Sequence, residues 1–323
     1  MKILFMGTPD FAVGILSAIC EKSRHEVVTV VTQPDRPRGR SGAPVFSPVK
    51  EYATGRDIPV LQPARIKEAV EVEKLRGIDA DIYVVAAFGQ ILSKEILDLP
   101  RFGCINVHAS LLPKYRGAAP IQWAVADGLK TTGVTIQQMN EGVDTGDIIS
   151  TVTVPIDDDE TGGSLFDKLM RSGADLITDT LDAIEDGRAA RIPQDESEAT
   201  YAKMLKKEMG LIDFSRTAEE IERMIRAFTP WPGGYTYLGE KMLKIIKCHT
   251  ASGGDQDNCG KVTSVTKDAI TVACGKGSIV ITALQLEGKK AMTSHDFLLG
   301  NSISSGTVLG AGHTNAPADR ESR

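Results

Sequence analysis

The chain has 323 residues, of which 37 are basic and 43 acidic, giving a formal charge of −6, and 41% are hydrophobic. This size and mix describe one large or two ordinary globular domains, with a core large enough to need no disulfide or metal staple. They exclude a chain coated in positive charge for wholesale nucleic-acid binding, and no apolar run reaches the ~18 residues of a membrane span.

The first strand-like run, Lys2 to Met6, starts at once and leads into Gly7-Thr8-Pro9-Asp10. No signal or transit peptide is expected, and the expected location is the cytoplasm. Strand candidates at 27–31, 58–61, 81–86 and 103–108 follow, alternating with helix-like stretches at 11–21, 66–76, 117–127 and 164–186. Such alternation predicts an α/β fold with a Rossmann-like, mostly parallel sheet and ligands at the carboxyl ends of its strands. Two further strands, 132–138 and 148–154, are expected to pair around the loop 139–147 and make the sheet mixed.

A catalytic domain is expected over 1–190 and a linker over 191–207, where the rhythm is lost. From 208 one helix-like stretch (217–227) precedes β-rich runs at 235–238, 241–248, 260–266, 269–274 and 278–284. Five short strands at this spacing predict a small OB-like barrel over 208–300. Residues 301–323 are rich in Gly, Ser and Ala without periodicity and are expected to form a flexible tail.

The five cysteines, Cys20, Cys104, Cys248, Cys259 and Cys274, form no C-x-x-C pair. That argues against a zinc knuckle and a disulfide frame, and no metal site is expected. Residues 1–207 carry 24 basic and 30 acidic groups, while 208–323 carry 13 of each. Three basic clusters stand out against this acidic background: Arg36, Arg38 and Arg40; Lys203, Lys206 and Lys207; Lys241, Lys244 and Lys247. Together they read as a track for a polyanion.

The stretch from Cys104 to Pro113 carries the chemistry. Within a strand Asn106 and His108 point to one face, so a carboxamide and an imidazole converge at its carboxyl end. Asn supplies an N–H for a developing oxyanion, and His moves a proton near neutral pH. Asp144, in Glu141-Gly142-Val143-Asp144-Thr145-Gly146-Asp147, is placed to hydrogen-bond the His108 ring and fix its tautomer. No Ser or Cys nucleophile is indicated by spacing. The trio therefore fits direct acyl transfer to an external nucleophile.

Asn106-Val107-His108, Ser110-Leu111-Leu112-Pro113 and Arg116-Gly117-Ala118-Ala119-Pro120-Ile121 together resemble the signature of the 10-formyltetrahydrofolate-dependent formyltransferases. Gly7-Thr8-Pro9-Asp10-Phe11, Gln33-Pro34-Asp35-Arg36-Pro37, Ser47-Pro48-Val49-Lys50, Asp144-Thr145-Gly146-Asp147 and Arg226-Ala227-Phe228-Thr229-Pro230-Trp231-Pro232-Gly233 extend it across roughly 1–300. They narrow it to the branch of that family whose acceptor is methionyl-initiator tRNA. The resemblance implies that Asn106, His108 and Asp144 are catalytic. It places the folate at Phe88, Gly89, Gln90, Ile91 and Leu92, at Ser110, Leu111, Leu112 and Pro113, and along the loop 137–144 including Gln137 and Asp144.

It further implies that the loop 32–49 approaches the tRNA acceptor end, with Arg40 as the key basic residue. There the chain departs from the family, which often follows Gly-Arg-Gly with two lysines. Here Ser41-Gly42-Ala43-Pro44-Val45-Phe46 follows instead, leaving phosphate contact to Arg36, Arg38 and Arg40. The expected partners are methionyl-initiator tRNA and 10-formyltetrahydrofolate as cosubstrate, with a monomer and no membrane. The rival readings are formyl transfer to a small amine, hydrolysis of formyl-folate, and a non-catalytic RNA-binding module.

Overall fold

The computed structural model describes residues 1–37, 44–253 and 256–310. Arg38 and Arg40 of the acceptor loop, and residues 311–323, lie outside the described residues. The chain packs as two units. The first comprises Met1–Ile121, Lys130–Asp157 and Ser164–Lys203; the second comprises Gln122–Leu129, Asp158–Gly163 and the chain from Met204.

The first unit is built on a seven-stranded sheet in the order Ile148–Pro155, Thr131–Gln138, Cys104–His108, Ile82–Ala86, Lys2–Gly7, Glu26–Val31, Val60–Leu61. Five strands run parallel, and the antiparallel pair around the loop 139–147 adds its Thr131–Gln138 strand beside Cys104–His108. Strand alternation decides what faces what. Leu4, Met6, Tyr83, Val85 and Cys104 form a buried cluster with Ile66, Val72, Leu75, Ile96 and Leu97 on one side of the sheet. On the other side a Cβ on Gly173 would meet Ile15 at 3.1 Å and Val107 at 3.3 Å, so the helix Gly162–Glu185 lies close over both. Each such fully buried aliphatic side chain contributes about 1.5–3 kcal/mol. Asn106 follows Cys104 by two residues at the carboxyl end of this anchored strand.

Residues 191–203, expected as a linker, are instead part of the first unit. Ile192 bridges to Ile148, and Tyr201–Ala202 pair in parallel with Arg116–Gly117. The physical reason is Arg116, whose side chain is fully buried and takes its acceptors, Gln194 and Glu196, from this segment.

The second unit holds an antiparallel sheet in the order Gly234–Leu238, Lys241–Ala251, Ser278–Leu286, Ile270–Ala273, Val262–Val265, with Met292–Thr293 paired to Ser278–Leu286. No pair among the described residues joins its two end strands. The amphipathic helix Ala218–Ala227, opened by a Thr217/Glu220 capping box, buries Ile221 and Ile225 against the sheet residues Leu243, Ile245, Ile279 and Ile281. Residues 301–310, expected as part of a flexible tail, are packed instead. Ile303 and Leu309 are buried in this same core, and Val262 N–H donates to the Thr307 carbonyl. Two apolar side chains six residues apart fasten a segment that has no secondary-structure periodicity.

Lys203, Lys206, Lys207, Lys241 and Lys247 are exposed and Lys244 is half-buried. In a regular strand, Lys244 and Lys247 would point to opposite faces. A register shift between Ile245 and Lys247 lets the inward positions pass from Leu243 and Ile245 to Cys248, so both lysines face outward. No helix among the described residues is long and apolar enough to cross a membrane.

Candidate active site

Asn106 and His108 end the strand Cys104–His108, and the loop after Thr131–Gln138 carries Asp144 to meet them. Asn106 Nδ2 donates to Asp144 Oδ1 at 3.3 Å, and His108 Nδ1 lies 3.6 Å from the same oxygen. The three expected residues therefore share one carboxylate oxygen. His108 and Asp144 side chains are only 7% and 13% exposed, so this charge sits in a largely dry setting.

The carboxylate is held from three directions. Gly117 N–H donates to Oδ2 at 2.8 Å, while Gln137 Nε2 reaches Oδ1 at 2.9 Å alongside Asn106. Asp144 adopts a left-handed backbone with φ of 54°, a conformation Asp tolerates better than most residues. Its carbonyl accepts from Gln194 Nε2 at 2.9 Å, and Gln194 also reaches the Gly146 carbonyl at 2.7 Å. Gly146 is required by space, because a Cβ there would overlap the Gln138 carbonyl oxygen.

The expected His108–Asp144 hydrogen bond does not set the tautomer. His108 Nε2 lies 2.9 Å from the Tyr115 carbonyl oxygen, which only accepts, so Nε2 carries the proton and Nδ1 the lone pair. Tyr115 has φ of 57°, a left-handed conformation for a bulky residue, and this turns its carbonyl toward the ring.

Gln137, expected at the folate, is buried with its Nε2 on Asp144 and its Oε1 accepting from Gly146 N–H at 3.1 Å. Gln90 spends its amide on the main chain, accepting from Ile66 N–H at 2.8 Å and donating to the Pro63 carbonyl at 3.0 Å. Phe88 and Leu92 are buried, Gly89 turns with φ of 82°, and Ile91 is exposed. Ser110 and Leu112 are buried and tied to Thr135, Leu111 and Pro113 are half-buried, and Ser110 Oγ donates to the Lys114 carbonyl at 2.6 Å. The segment 110–113 thus shapes the turn that delivers Tyr115.

Arg116, Gln194 and the Tyr115 carbonyl were not foreseen as site residues. Arg116 donates to Gln194 Oε1 at 2.7 and 3.1 Å and to Glu196 at 2.7 and 2.8 Å. Its guanidinium holds the Glu196 carboxyl below the usual carboxylate range. Arg116 appeared only within the matched motif, and no spacing rule connects it to a residue 78 positions away.

Beside this centre, the carboxyl ends of Lys2–Gly7 and Ile82–Ala86 border a cleft of about 610 Å³. Its walls include Pro34, Phe46, Pro48 and Phe88, with Asp10 and Gln33 as polar groups.

The formyl transferase family matches residues 1–181, and the family's C-terminal domain matches 204–302. A methionyl-tRNA formyltransferase of Lachnospira eligens is 52% identical over 315 residues, covering 96% of this chain and 100% of that one. Another, of Agathobacter rectalis, is 52% identical over 309 residues and covers 96% and 99%. An N-formyltransferase from Helicobacter canadensis, solved with folinic acid and dTDP-3-aminofucose, superposes with a TM-score of 0.65 at 19% identity, covering 87% and 98%. With both family domains matched in order and the trio assembled around one oxygen, this chain belongs to the formyl transferase family.

Proposed function

We propose that this chain transfers the formyl group of 10-formyltetrahydrofolate to the α-amine of methionyl-initiator tRNA. The observation that carries the chemistry is the convergence of Asn106 Nδ2 and His108 Nδ1 on Asp144 Oδ1. The choice of acceptor is supported by relatives of 52% identity, named methionyl-tRNA formyltransferases and matched over essentially their whole length. A small-amine acceptor makes no use of the exposed lysines at 206, 207, 241 and 247, whereas a tRNA backbone fits them.

The amine nitrogen attacks the formyl carbon, and negative charge gathers on the former carbonyl oxygen. Asn106 donates one N–H to Asp144 and offers the other to that oxygen, which an amide with two donors allows. His108 Nδ1 takes the proton released by the amine and returns it to the folate nitrogen as the old C–N bond breaks. While protonated, the ring has the Asp144 carboxylate 3.6 Å away to balance its charge. The products are the N-formylated acceptor and tetrahydrofolate.

The test is an assay of 10-formyltetrahydrofolate with methionyl-tRNA, with a small aminosugar nucleotide, and with no acceptor. Formyl-methionyl-tRNA should form in the first reaction alone. Formate release without acceptor at a comparable rate would make the chain a hydrolase and overturn the reading.

A further inference from the structure

Among residues 194–202 only Ala202 is buried, so hydrogen bonds rather than packing decide where this segment lies. Two of its side chains reach the candidate site from outside. Gln194 meets the loop that carries Asp144, and Thr200 meets the turn that orients His108.

Thr200 brackets Tyr115. Tyr115 N–H donates to Thr200 Oγ1 at 2.8 Å, and Arg116 N–H donates to the Thr200 carbonyl at 2.8 Å. Thr200 N–H in turn donates to the Pro113 carbonyl at 3.3 Å. The two peptide planes that flank Tyr115 are therefore both held by one threonine. The second of them carries the carbonyl that accepts from His108 Nε2. With φ of 57°, Tyr115 has a backbone conformation that is costly for a bulky residue and persists only where the surroundings hold it. Rotation about that φ would turn the carbonyl away from the ring. The remaining acceptor at the ring is then Asp144 Oδ1, 3.6 Å from Nδ1. That favours the Nδ1–H tautomer, which has no lone pair to face the incoming amine.

Gln194 does the matching work on the carboxylate. Arg116 offers only donors, so Gln194 turns Oε1 toward it and Nε2 faces the loop, donating to the carbonyls of Asp144 and Gly146.

We propose that Thr200 is a positioning residue for the transfer: its hydroxyl, acting through Tyr115, holds His108 in the Nε2–H tautomer, while Gln194 of the same segment holds Asp144. The inference rests on the formyl transfer proposed above and adds to it a residue that acts through the main chain of another.

The test compares Thr200→Val, Thr200→Ser and Gln194→Glu by steady-state kinetics and by ¹⁵N NMR of the His108 ring in its neutral form. Thr200→Val keeps both main-chain bonds of residue 200 and removes only the acceptor for Tyr115 N–H. Residue 200 is exposed, so water replaces part of that bond. The value of one hydrogen bond then sets a fall in kcat of about 2- to 10-fold, with KM for both substrates within about twofold. The Nδ1–H fraction of the ring should rise. Thr200→Ser supplies the acceptor again and should return both readouts to wild type. Gln194→Glu keeps the acceptor for Arg116 and removes both donors to the loop, so kcat should fall about 5- to 150-fold with the tautomer unchanged.

A Thr200→Val ring that stays Nε2–H, an unchanged kcat, or a Thr200→Ser enzyme as impaired as Thr200→Val overturns the proposal. A Gln194→Glu enzyme with an altered tautomer would show the segment acting as a whole and would overturn the separate role of Thr200. The tautomer is read without turnover. Failure of the wild type to formylate methionyl-tRNA would therefore sink the proposed function and leave the positioning result standing.

Discussion

His108 gives its Nε2–H to the carbonyl oxygen of Tyr115 at 2.9 Å, which leaves Nδ1 as the basic nitrogen facing Asp144. A main-chain carbonyl fixed by a left-handed tyrosine thus orients the ring, and in the proposed reaction Asp144 would balance its charge. The ¹⁵N shifts of the His108 ring in its neutral form should show a protonated Nε2 and an unprotonated Nδ1. A protonated Nδ1 in the neutral ring would reverse this assignment.

Asn106→Ala should lower kcat about 10²- to 10³-fold, the usual cost of one oxyanion donor. The charge on oxygen exists only near the transition state, so KM for both substrates should change little. Single-turnover rates under saturating formyl donor and methionyl-tRNA check this. A variant with kcat within threefold of wild type and a raised KM would place Asn106 in ground-state binding.

The sheet strands and the shared face of Asn106 and His108 were legible because their signals are local. Apolar runs of five or six residues mark the strands, and period-2 alternation puts Asn106 and His108 on one face. The helix Pro48–Thr54 also had a local signal, a Ser47 cap accepting from Lys50 N–H with Pro at the first position, although seven residues give too little periodicity to notice. What stayed hidden depends on distant partners. Nothing near residue 116 announces that its guanidinium will be buried against 194 and 196, and nothing near 303 or 309 announces a core drawn from between Ile212 and Phe297. The outward alignment of Lys244 and Lys247 likewise needed the bulge between them, which strand periodicity alone cannot supply.

Arg116→Met should destabilise the protein by about 1–3 kcal/mol, because half-buried Gln194 and the main chain beside it lose a charged donor. Glu196→Gln should cost less, since its side chain is 68% exposed and solvent screens the pair. Arg116 lowers the Glu196 carboxyl, so this pair's small contribution is complete at neutral pH and is lost as pH falls through the folded value. Urea unfolding at pH 7 and in mild acid checks the order. Arg116→Met should also lower kcat, because Gln194 ties the loop bearing Asp144, and Glu196→Gln should leave kcat near wild type.

The family's C-terminal domain is matched to residue 302, yet the packing of this unit continues through residue 310. Ile303 and Leu309 are 8% and 3% exposed, Val262 N–H donates to the Thr307 carbonyl, and Leu309 N–H donates to that of Gly260. The segment therefore runs beside the strand Val262–Val265, an edge of the sheet that would otherwise show unpaired main-chain groups. Each of the two aliphatic side chains contributes about 1.5–3 kcal/mol on burial, so a chain ending at Asn301 should lose about 3–6 kcal/mol. Denaturant unfolding of the second unit, followed by Trp fluorescence and far-UV circular dichroism, measures the loss. A change below about 1 kcal/mol would mean that these two side chains merely rest on the core. A loss of the expected size, with the edge strand's amides then exchanging faster, would make residues 303–310 an integral part of the domain.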